Sequence, residues 1–172
     1  MGLAISYFSR IKLKDNADIE DDEYYIENDK YFMYQLGSLK NGQSCEKTFE
    51  SVQGHFSAGS YSGYGVWRKN LIEMLGYVCI QDVCNDFDTN IRLIKLKEIE
   101  TGNKIRIKPF YEIICFSDCD GAIGPEVSKK LYEDFVEFDN IASMQGDYFY
   151  ELYSNFKTAF EVASDNGAVF FY

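Results

Sequence analysis

Ala58-Gly59-Ser60-Tyr61-Ser62-Gly63-Tyr64 leads into Val66-Trp67-Arg68-Lys69-Asn70-Leu71, a glycine- and hydroxyl-rich stretch that feeds into an amphipathic one. Phe49 to Ala58 reads as a strand entering this stretch. The run that follows places Trp67, Leu71, Met74 and Leu75 on one side and Arg68, Lys69 and Glu73 on the other, which predicts a helix from about Gly65 to Leu75 stopped by Gly76. The first turn of a helix has N–H groups without intrahelical partners and the positive end of the dipole, so this junction suits an anionic or polar ligand.

Working outward, the remaining elements set the fold class. Leu3 to Leu13 reads as a first strand, Tyr24-Tyr25-Ile26 and Tyr31 to Leu36 as further strands, the latter closed by the turn Lys40-Asn41-Gly42. Residues 91–108 alternate apolar and basic around Thr101-Gly102-Asn103, a β-hairpin pattern. Phe110 to Phe116 is apolar nearly throughout and is expected as a central strand buried on both faces. Helices are expected from Pro125 to Phe138, with Val127, Leu131, Phe135 and Phe138 on one stripe, and from Asp147 to Ser164, with Phe149, Leu152, Phe156, Phe160 and Ala163 on another. Asn166-Gly167 ends the last helix, and Ala168 to Tyr172 returns as a terminal strand. Strands come mostly first and helices later, which predicts one α+β domain over 1–172: a mainly antiparallel or mixed sheet with about three helices packed on it.

Composition narrows the function classes. At 172 residues, with 17% aromatic and 46% hydrophobic side chains, the chain supports a sizeable core and is no disordered tail. Its apolar runs fall well short of the roughly 18 residues of a membrane span, and the N-terminus lacks a basic region followed by an apolar stretch. The expectation is a cytoplasmic protein without membrane contact. Five cysteines, an odd number with no C-x-x-C pair, read as free thiols and not as a zinc site. The net charge of -11 is concentrated in 15–29, where eight acidic residues stand without a basic one, whereas 91–108 is locally basic. Duplex nucleic acid is therefore not an expected partner.

Two constellations carry candidate chemistry. Ser60, Tyr61, Ser62 and Tyr64 offer hydroxyls beside the backbone donors of Gly63, and Arg68 lies one turn further, a donor-rich set suited to phosphate, carboxylate or ribose, with Trp67 available to stack on a ring. The glycines do not form a P-loop or a dinucleotide fingerprint. Downstream, Ser117-Asp118-Cys119-Asp120-Gly121 follows an apolar run and precedes Pro125. Here Asp118-Cys119-Asp120-Gly121 resembles the D-x-D-G motif of the haloacid-dehalogenase phosphatases, which implies a nucleophilic first aspartate and a magnesium ion. Ala122 stands where that family's threonine follows, and only 51 residues remain after Gly121. The single imidazole, His55, has no local nucleophile beside it. No catalytic residue, metal site or cofactor is assigned.

Taken together, Ala58-Gly59-Ser60-Tyr61-Ser62-Gly63-Tyr64-x-x-Trp67-Arg68 and Phe116-Ser117-Asp118-Cys119-Asp120-Gly121-x-Ile123-Gly124-Pro125 resemble motifs of a family of small bacterial and phage proteins to which no activity is attached. The phage association of that family implies a setting of host–phage or toxin–antitoxin conflict.

The leading expectation is a non-catalytic binding protein for a small polar or anionic ligand, nucleotide-like, of the kind a phage would use to sequester a signalling nucleotide. Its site would be Ser60, Tyr61, Ser62, Gly63, Tyr64, Trp67 and Arg68 in the first loop, facing Ser117, Asp118, Asp120 and Gly121 in the second. The alternatives are an acidic inhibitor or immunity-type protein covering a basic partner protein, and a metal-dependent phosphoryl-transfer enzyme using Asp118 and Asp120. Self-association is left open.

Overall fold

The computed structural model describes residues 2–15, 24–25, 43–46, 51–76, 78–79, 94–95, 109–116 and 121–172. The expected strand at Tyr31 to Leu36, the turn at Lys40 to Gly42, most of the hairpin at 91–108, and Ser117, Asp118 and Asp120 lie outside them.

The principal sheet contains β1 (Gly2–Phe8), β5 (Gln53–Ser60), β8 (Gly121–Ile123) and β9 (Ala168–Phe171) in the order β5-β1-β9-β8, every neighbouring pair antiparallel. β2 (Lys12–Asp15), β3 (Tyr24–Tyr25) and β4 (Gln43–Glu46) form a second sheet in the order β2-β4-β3, and β6 (Val78–Cys79) pairs with β7 (Ile94–Lys95). The helices are α1 (Tyr61–Met74), α2 (Tyr111–Cys115), α3 (Pro125–Glu137), α4 (Asp139–Ala142) and α5 (Asp147–Ala163). The fold is α+β, as the element order predicts.

The period of two places alternate strand residues on opposite faces. Leu3 and Ile5 of β1, Ala58 of β5, Ile123 of β8, and Val169 and Phe171 of β9 are buried in one cluster with the apolar faces of α1, α3 and α5. Phe8, Ala122, Ala168 and Phe170 form a smaller cluster with Ile11 on the other face. All four residues of β9 are buried, consistent with its place in the interior of the sheet. The expected first strand, Leu3 to Leu13, is divided in two at Ser9 and Arg10, where Arg10 takes a φ of 50° and donates through its backbone N–H to the Asp165 carbonyl (2.8 Å).

One element differs in kind from its expectation. Phe110 to Phe116 is not a strand; it holds the five-residue helix α2. A short apolar run is equally compatible with a buried strand and a buried helix, so periodicity could not arbitrate. Tertiary contacts do. Phe110 adopts a left-handed φ of 57°, its ring packs edge-on against Phe135 (4.8 Å between centroids), and its backbone N–H donates to Asp134 Oδ2 (2.8 Å). Asp134 is fully buried on α3 and pairs with Lys130 (2.8 Å), which also meets Glu112 of α2. A carboxylate from a different helix thereby fixes the start of α2.

Two predictions follow from this packing. A Cβ on Gly167 would stand 1.8 Å from the Phe8 carbonyl oxygen, whereas one on Gly76, at φ +66°, would meet nothing within 4 Å. Gly167→Ala is expected to cost about 3 kcal/mol through overpacking, and Gly76→Ala only about 1–2 kcal/mol of left-handed backbone strain, as read by urea unfolding; equal costs would contradict the close strand approach. The buried Tyr153 hydroxyl donates to the Phe135 carbonyl (2.8 Å), and its pKa is raised well above the ordinary 10.0 by burial first, then by Asp139 and Asp134. A raised folded-state pKa means that this contribution is complete below pH 10 and is lost as pH rises beyond it. Tyrosinate absorbance should therefore report Tyr153 ionising only together with unfolding, and Tyr153→Phe should flatten the alkaline loss of stability.

Candidate functional site

The β5–α1 junction is tighter than a loop. Gly59 has a φ of 84°, adopted with no Cβ penalty where the register of β5 against β1 shifts. Ser60 is extended and caps α1, its Oγ accepting from the Gly63 N–H at 3.0 Å. The helix thus starts at Tyr61, four residues before the expected Gly65. Ser60 and Ser62 are exposed with their Oγ atoms 3.1 Å apart, while Tyr61 and Gly63 are half-buried. No acidic residue occupies the first turn, so the positive end of the helix is not neutralised from within.

A residue that sequence reasoning passed over completes this surface. Tyr148, in the first turn of α5, is 67% exposed, and its hydroxyl lies 3.3 Å from the Cβ position of Gly59 and 3.9 Å from that of Gly63. Nothing local in the sequence signals this, because only the packing of α5 against β5 and β1 brings Tyr148 over the junction.

Tyr64, Trp67 and Arg68 do not line the exposed junction, which corrects the expected stacking and anion-binding roles. They are 0%, 1% and 3% exposed. Trp67 lies nearly parallel to Tyr64 (5.8 Å, 14°) and to Phe156 (5.0 Å, 29°), and its Nε1 donates to the Phe149 carbonyl at 3.3 Å. The Arg68 guanidinium sits over the Tyr64 ring (4.7 Å), and its Nη1 donates to the carbonyl oxygens of Phe116 (2.8 Å) and Ile114 (3.4 Å). These are carbonyls at the end of α2, where the helix leaves acceptors unused and the dipole is negative. The face of α1 that meets the core carries an arginine because the core itself supplies acceptors there.

The second motif is a helix-to-strand connection, not the expected strand-to-helix one. Phe116 ends α2 and packs against Phe171 (4.7 Å), and Gly121 opens β8 at a φ of 114° with the Phe116 ring 3.0 Å from its Cβ position. Residues 117–120 join these two points, so Ser117, Asp118 and Asp120 fall outside the described residues. The cap position of α3 is held by Gly124, and Pro125 follows it. Gly121 pairs with Phe171, Tyr172 with Ala4, and Ser60 with Gly2. The C-terminal end of β5 and the N-terminal start of β8 therefore lie toward the same end of the sheet, with β1 and β9 between them. Arg68 of the first motif and Phe116 of the second are in direct contact.

Among the described residues no group of three His, Cys, Asp or Glu side chains could hold a metal ion. No helix among them is long and apolar enough to cross a membrane. Comparison of the chain with protein-family models, with curated proteins and with solved structures finds no match.

Removal of the Arg68 side chain would leave buried carbonyls without their donor and open space beside Tyr64. Arg68→Ala is expected to lower unfolding stability by about 3 kcal/mol, against under about 0.5 kcal/mol for an exposed helix arginine. A loss within the exposed range, measured by chemical denaturation, would contradict the buried role.

Proposed function

We propose that the chain is a non-catalytic binding protein for a small anionic, nucleotide-like ligand received at the N-terminus of α1. The observation that supports this reading is the gathering of three hydroxyls, Ser60, Ser62 and Tyr148, over the glycine-lined start of a 14-residue helix with no acidic residue in its first turn. The hydroxyls and the unneutralised dipole supply donors; Tyr148, exposed where Trp67 is not, supplies the ring on which a base stacks.

Magnitudes shape the expectation. A helix N-terminus contributes about 0.3–2 kcal/mol to an anion, and net hydrogen bonds about 1 kcal/mol each, which together place inorganic phosphate near a millimolar dissociation constant. Stacking adds about 1–3 kcal/mol per base, so a nucleotide should bind tens of times more tightly. The chain's net charge of -11 opposes anion capture, but beyond about 8 Å that repulsion is largely screened at physiological salt.

Titration calorimetry and amide chemical shifts with phosphate, mononucleotides and cyclic dinucleotides test the proposal. Ser62→Ala and Tyr148→Phe should each weaken nucleotide binding several-fold while leaving stability within about 0.5 kcal/mol; Ser60→Ala should also cost about 1 kcal/mol as a lost cap. Unshifted Ser62 and Gly63 amides at millimolar nucleotide would refute it.

A second reading rests on a different observation. The acidic run at 15–29 begins at the last residue of β2 and contains β3, and both strands pair with β4 in one small sheet. That concentration of negative charge suits an inhibitor that covers a basic partner protein. Neutralising Asp21, Asp22 and Glu23 together should then slow association with that partner at low salt, whereas an unchanged rate would count against this reading.

A further inference from the structure

We draw no further inference here: the strongest candidate, the surface cleft of about 460 Å3 between the C-terminal half of α1 and the α4–α5 turn, lined by Asn70, Glu73, Met74 and Gln145, carries nothing because its one charged lining residue among those described is an exposed carboxylate and nothing in the structure shows what covers it.

Discussion

A buried guanidinium is the constraint on which the rest of this structure depends. Withdrawing an arginine from water costs several kcal/mol unless its donors are met, and Arg68 at 3% exposure meets the carbonyl ends of α2 and the face of Tyr64. A desolvated cation over an aromatic ring is itself worth about 2 kcal/mol. The consequence is positional. α1 cannot shift along the sheet without withdrawing Nη1 from Phe116, and Phe116 cannot move without leaving Phe171 and Gly121. α2, only five residues long and with little helical stability of its own, is held at one end by Asp134 of α3 and at the other by Arg68 of α1.

This arrangement divides the first motif into two sets of residues with different work. Tyr64, Trp67 and Arg68, on the inner face of α1, build the aromatic core with Phe149, Phe156 and Phe171. Ser60, Ser62 and Gly63 remain at the surface, where Tyr148 joins them. The inner set accounts for Tyr64 and Trp67 behind the serine cap without appeal to a ligand. The outer set is what remains available for binding, and it is small, hydroxyl-rich and rigidly mounted on a helix fixed from below.

Much of the architecture was legible because it rests on local rules. The stripes of α3 and α5, Pro125 at the first position of α3 and the terminal strand after Asn166-Gly167 follow from periodicity and capping chemistry. What could not be read depends on partners distant in sequence. Phe110 to Phe116 became helical because Asp134, 24 residues away, accepts from Phe110; Arg68 became internal because acceptors 46 and 48 residues away face it; and Tyr148 reached the α1 terminus through helix packing alone. Charge on a helix face predicts exposure only when the core offers that charge no partner.

Native-state hydrogen exchange tests the central claim, that Arg68 ties α2 to α1 and thereby joins the two motifs. The Ile114 amide, which donates to the Phe110 carbonyl at 3.0 Å, is the reporter within α2, and Leu131 and Phe156 report on the α3–α5 core. In Arg68→Met the account predicts that Ile114 exchange accelerates by at least tenfold more than that of Leu131 or Phe156, an increment of about 1.4 kcal/mol. Equal changes at all three amides, or unchanged protection at Ile114, would contradict it.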